Sequence, residues 1–94
     1  DHLFGDLDAP PEADGLRTLA ALTAPGGGTL RVRADATFTE LVLFTPAHRR
    51  ALAVEAYSAP TDAVHLAERG LAPGWRTLPP GGRDVAVVEY DWAA

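Results

Sequence analysis

The chain has 94 residues, 47% hydrophobic and 22% charged, with thirteen acidic residues against eight basic ones, all arginine, and a formal charge of −5. This is the composition of an ordinary globular chain and excludes a disordered one. The arginines form no basic run that would track a phosphate backbone, so no nucleic-acid partner is expected. No apolar stretch approaches the roughly 18–20 residues that cross a bilayer, and Asp1 onward does not read as a signal peptide, so no membrane partner is expected either.

A chain this short forms one domain and buries only roughly 60–65% of the surface its unfolded form exposes. There is no Cys and no metal-type cluster to staple so thin a core. Lack of Cys is compatible with a reducing cytoplasm, the expected compartment. The sequence begins at Asp1 without Met and enters Asp1-His2-Leu3-Phe4 with no leading loop or cap. It reads as a piece of a longer protein.

Turn clusters at Pro10-Pro11, Pro25-Gly26-Gly27-Gly28, Pro46, Pro60, Pro73-Gly74 and Pro79-Pro80-Gly81-Gly82 come too close together for a helical protein. Between them lie runs rich in Val, Leu, Thr and aromatics, the spacing of an antiparallel all-β fold. Strands are predicted at about 15–23, 29–34, 40–45, 51–57, 75–78 and 84–92.

Thr29-Leu30-Arg31-Val32-Arg33 alternates apolar and charged residues, which predicts one buried face and one wet face. Leu41-Val42-Leu43-Phe44 is apolar on both faces and suits a central strand. The last strand begins apolar throughout, at Val85-Ala86-Val87-Val88, and then alternates through Trp92. The three-glycine run has no following Lys-Ser/Thr and is a hairpin turn rather than a phosphate loop. The one helical candidate is Asp62 to Arg69, with Asp62 as cap and Gly70 as stop.

Glu55 interrupts the apolar run Ala51-Leu52-Ala53-Val54 just before Tyr57 and the Ser58-Ala59-Pro60 turn. A carboxylate held against apolar neighbours has a raised pKa and becomes a usable proton acceptor near neutral pH. The plainer alternative is a strand glutamate pointing into solvent. Alternation puts Tyr57 on the same strand face as Glu55. Aromatics carry weight in sugar sites because the apolar faces of a pyranose stack on rings; the candidates are Trp75, Tyr57, Phe44 and Trp92, with core packing expected for Phe44 and Trp92. His48 belongs to a polar hairpin tip, His65 follows Asp62 by one helical turn and reads as a surface residue, and His2 sits at a terminus expected to fray.

Phe44-Thr45-Pro46, Ala53-Val54-Glu55-Ala56-Tyr57-Ser58, Asp62-Ala63, Gly70-Leu71 and Leu78-Pro79-Pro80-Gly81 occur in one order at one set of gaps. This set resembles the C-terminal signature of the aldose 1-epimerases, the galactose mutarotase-like family, and covers nearly all of the chain from residue 38 onward. Asp1-His2-Leu3-Phe4 is similar to the family's Asp-x-x-Phe element.

The resemblance implies an antiparallel β-sandwich of the galactose mutarotase-like supersandwich type, of which residues 1–94 are the C-terminal part of a single domain. It implies an isomerase that interconverts the α and β anomers of a free aldose, with Glu55 as catalytic base and Asp1 as a hydrogen-bond partner of a sugar hydroxyl; Tyr57 and Trp75 remain the aromatic candidates against the sugar. The reaction needs no cofactor and no metal. Its expected partners are the small sugar substrate and a missing N-terminal portion of the same protein, which holds the family's acid, a histidine; none of His2, His48 or His65 matches that position. The sequence departs from the family where Ala56 stands for the usual Pro, Ser58 for Thr, His65 for Asn and Gly82 for Glu. A non-catalytic carbohydrate-binding β-sandwich module of the same fold is the second reading.

Overall fold

The structure, a computed structural model, describes residues 2–71 and 74–94. Six strands and one short helix follow one another as β1 (His2–Phe4), β2 (Arg17–Thr23), β3 (Thr29–Ala34), β4 (Glu40–Phe44), β5 (Ala53–Tyr57), α1 (Ala63–Glu68) and β6 (Val88–Ala93). They form two three-stranded sheets, ordered β1-β4-β5 and β2-β3-β6, and every pairing is antiparallel. The protein is all-β. Among the described residues no helix is long and apolar enough to cross a membrane.

The β2–β3 hairpin turns on the glycine run as expected, with Ala24 N–H donating to the Gly28 carbonyl at 3.1 Å and Gly27 N–H to the Ala24 carbonyl at 3.0 Å. β4 is the central strand of its sheet. It buries Leu41 and Val42, neighbours that alternation points to opposite faces, and this is what a run apolar on both sides predicts.

The two sheets meet through one face each. Leu30, Val32 and Ala34 of β3 share a face with Leu22 and Ala20 of β2 and with Trp92, Tyr90 and Val88 of β6. Opposite them, Leu43 and Val54 join Leu52 around a hollow of about 210 Å³ that Ala20, Leu22, Leu30 and Val32 close from the other side. Among the described residues the buried apolar side chains are few: Val32, Ala34, Leu41 and Val42.

The structure corrects several expectations. The 75–78 segment is irregular, without a strand. The last strand begins only at Val88, because β3 ends at Ala34 and its paired edge stops with it. There the Asp35 carboxylate accepts from Val87 N–H at 2.8 Å and from Thr37 N–H at 2.9 Å, closing the ladder. Val85 and Val87 consequently lie exposed rather than in the core. Phe44 and Trp92, expected to pack inside, are 40% and 62% exposed, since nothing in the described chain covers the ends of β4 and β6.

The face of β3 expected to be wet is closed at Arg33 and half-open at Arg31. Arg33 is only 6% exposed, because the 12–16 turn lays Glu12 and Asp14 over it. Its guanidinium donates to both Asp14 oxygens at 2.8 Å and to Glu89 Oε1 at 2.6 Å, while Arg31 donates to Asp91 Oδ2 at 2.6 and 3.0 Å. His2, at a terminus expected to fray, is paired instead with β4 opposite Leu43, as part of the short strand β1.

Helix α1 matches the predicted segment within a residue at each end. Its cap differs, for Asp62 sits at φ 62° and makes no side-chain cap bond. The left-handed backbone turns its carboxylate to His65 Nδ1, 2.7 Å away, on an exposed surface.

Candidate functional site

Glu55 stands at the middle of β5, opposite Val42. Its neighbour Val54 faces the hollow between the sheets, so alternation turns Glu55 to the outer face of the β1-β4-β5 sheet. There it is exposed, the plainer of the two expectations, and not the desolvated carboxylate that its apolar run suggested. Tyr57 lies two residues on, on the same outer face and half-buried, opposite Glu40. Asp1 lies outside the described residues.

Trp75 lines a cleft of about 450 Å³ with Ser58, Ala59, Gly74, Arg76, Thr77, Leu78, Arg83 and Asp84. The cleft exists because the 74–84 loop folds back against the end of β5. Gly74 makes this approach possible: any Cβ there would collide with the Ser58 carbonyl oxygen. Arg76 Nη2 is 2.7 Å from Asp84 Oδ2, which fixes the far wall. The indole is half-exposed, at 48%, and offers a flat apolar surface beside two guanidinium groups and a carboxylate. Such a mixture suits a polyhydroxylated ligand, whose C–H faces stack while its hydroxyls need donors and acceptors.

Of the residues singled out in the sequence, Glu55 and Tyr57 share a face and Trp75 lines the cleft that begins at Ser58. Neither Glu55 nor Tyr57 lines that cleft itself. Strand β5 is the physical link between the two regions.

A second carboxylate was not anticipated. Glu40 opens β4 and lines a recess of about 290 Å³ with Asp6, Leu7, Arg17 and Thr39. Burial, and then the nearby Asp6 charge, push its carboxyl above the ordinary glutamate range. Gly5 leaves the room it needs, since a Cβ there would lie 2.6 Å from Glu40 Oε2. Alternation along β4, with Val42 and Phe44 on the same face, places Glu40 on the Glu55 and Tyr57 side. That periodicity was the one signal in the sequence; the neighbours Asp6 and Arg17 come from distant positions and gave none.

Asp35 behaves in the opposite way. Burial pushes its carboxyl up, but the Val87 and Thr37 amides and the more distant Arg76 outweigh this and hold it below the usual aspartate range. It is a structural acceptor at a strand end. Among the described residues no group of three or more His, Cys, Asp or Glu is arranged to hold a metal ion. Comparisons with protein-family models, curated proteins and solved structures give no match.

Proposed function

We propose that the chain is the C-terminal part of an aldose 1-epimerase-like supersandwich and contributes the base of a mutarotase. The ordered motif set from Phe44 to Gly81 underlies the family reading. The observation that carries the assignment to Glu55 is its position: a carboxylate exposed to solvent on β5, sharing a face with Tyr57, on the strand that leads into the Trp75 cleft.

In this reading a free aldose such as galactose or glucose lies against the end of β5. Glu55 removes the proton from the C1 hydroxyl while an acid from the upstream polypeptide protonates the ring oxygen. The C1–O5 bond opens, rotation about C1–C2 presents the other carbonyl face, and reclosure returns the proton. Pairing acid with base avoids a free alkoxide at neutral pH. Trp75 and Tyr57 bear on the sugar's apolar faces, and Asp1 accepts from a hydroxyl.

Polarimetry tests the assignment. The 94-residue chain by itself is expected to give no acceleration of anomerisation, lacking the acid. In the longer protein Glu55→Gln is expected to lower the rate by roughly 10²–10⁴-fold, the usual worth of a positioned base; near-normal rates would end the assignment.

One observation favours the second reading, a carbohydrate-binding module without catalysis: Glu55 does not line the cleft in which Trp75, Arg76, Arg83 and Asp84 are assembled. If that reading holds, Trp75→Ala abolishes sugar binding while Glu55→Gln leaves it intact.

A further inference from the structure

The four edge strands of the two sheets are not equally protected. β1 is three residues long, β2 carries a bulge between Thr18 and Ala20, and β5 presents the exposed charge of Glu55 at its centre. Short length, a bulge and a charge are the usual devices that keep an edge from pairing further. β6 is neither short nor bulged. It runs six residues without proline, and its two acids, though paired to β3 through Glu89 to Arg33 and Asp91 to Arg31, stay 44% and 39% exposed, a charge that turns away acidic partners and leaves the edge open to basic ones.

The same strand exposes its apolar side chains. Tyr90 and Trp92, each 62% exposed, lie on the face that continues Leu30, Val32 and Ala34 of β3. The chain as a whole presents 6700 Å² of accessible surface, whereas a compact protein of 9.9 kDa presents about 5200 Å². Its radius of gyration, 15.1 Å, exceeds the roughly 12 Å of a compact chain of this length. The surplus of about 1500 Å² exceeds the roughly 800 Å² that one partner gives up in a standard interface, so the chain has surface to spare for an added strand.

We propose that β6 accepts a seventh strand from polypeptide outside these 94 residues, one that alternates apolar with basic side chains. The chemistry of both faces sets that pattern. An apolar side chain at every second position covers Tyr90 and Trp92. The alternate positions face Glu89 and Asp91, and among the described residues Glu89 Oε2 and Asp91 Oδ1 have no hydrogen-bond partner while the sister oxygens bind arginine. β3, with Leu30-Arg31-Val32-Arg33, is already such a strand on the other side of β6. A second copy of β6 is disfavoured, because antiparallel self-pairing sets Glu89 and Asp91 against their own equivalents and like charges directly opposite are destabilising. The proposal rests on the part of the functional reading in which further polypeptide completes the sandwich, and takes nothing from Glu55.

The test uses the intact chain and an acetylated, amidated peptide with the Gly28–Ala34 sequence, beside an analogue in which both arginines are glutamate. Amide chemical shifts and hydrogen exchange are followed on titration up to about 1 mM, where even a 4 kcal/mol interaction registers. The expected result is perturbation and slowed exchange confined to Val88–Ala93, with the glutamate analogue weaker by about tenfold, the worth of two cross-strand charge pairs. Trp92→Thr, at an exposed position that does not threaten the fold, is expected to weaken the arginine peptide while the free chain's spectrum stays dispersed. Equal binding of the two peptides, shifts elsewhere, no binding at the highest concentration, or a dimer of the free chain by sedimentation would each overturn it. Polarimetry of Glu55 variants is blind to these outcomes, so the two readings fail separately.

Discussion

The two sheets have three strands each but are held in different ways. In the β2-β3-β6 sheet the hydrophobic face supplies Val32 and Ala34, and the opposite face is tied by Arg31 and Arg33 to acids on the 12–16 turn and on β6. In the β1-β4-β5 sheet, the outer face carries Glu40, Glu55 and Tyr57 with no arginine opposite them in the strand register. One sheet spends its charges on cohesion. The other leaves them available for chemistry, and one of them, Glu40, is perturbed by burial rather than neutralised.

The comparison is broken most severely by removing the shared core. Val32, 1% exposed, is the one large side chain fully enclosed among the described residues. Val32→Ala is expected to cost about 2 kcal/mol from lost methyl burial and the void left behind. In a chain of this size that corresponds to a fall of roughly 8–16 °C in melting temperature by calorimetry. A change under about 3 °C would mean the sheets do not depend on each other through β3.

Acid separates the two sheets next. The hydrogen bond from Thr18 and the charge of Arg33 hold the Glu12 carboxyl below its ordinary 4.5 against the opposing effect of burial. Arg33 and then the Leu16 amide hold Asp14 below its ordinary 3.8. Carboxylates with lowered folded pKa values contribute stability that is complete above the unfolded value and lost as pH falls through the folded one. Unfolding on acidification is therefore expected to steepen below about pH 4, and Asp14→Asn to flatten that limb. An unchanged pH–stability curve in the variant would remove Asp14 from the lattice.

Glu40 has the opposite sign. Its raised pKa means that stability present below the unfolded value is lost as pH rises through the folded value, once the buried carboxyl must ionise. Glu40→Gln is expected to raise the melting temperature at pH 7 by a few degrees and to make no difference near pH 3. Equal gains at both would point to packing rather than charge. The smallest effect belongs to Glu55: Glu55→Gln, at an exposed position, is expected to change stability by no more than about 0.5 kcal/mol in either direction. A stability change well beyond that would show that Glu55 is a structural residue and undercut its use as a base.

Local pattern identified much of this molecule. The β2–β3 hairpin was legible because three consecutive glycines between alternating runs have few other uses, and β4 because Leu41 to Phe44 leaves neither face suited to water. The short helix was bracketed by Asp62 and Gly70. The predicted strand at 75–78 failed because Trp75 and Leu78 look like strand residues, yet no neighbouring strand offers them a ladder and the segment folds onto Ser58 instead. β1 was missed for the converse reason: three residues carry no periodicity, and only β4 makes them a strand.

The candidate site divides along the same line. Glu55 and Tyr57 on one face follow from alternation alone, since a strand has a period of two residues whatever it packs against. What the tertiary structure decided is which way that face looks. Val54 turned to the inter-sheet hollow leaves Glu55 in solvent, and the fold-back of the 74–84 loop puts Trp75 beside Arg76, Arg83 and Asp84 rather than beside the glutamate. The sequence by itself determined an antiparallel β protein with a carboxylate on an apolar strand. The burial of Arg33, the raised Glu40 and the open edge of β6 came only with the three-dimensional fold, because each depends on groups brought together from distant parts of the chain.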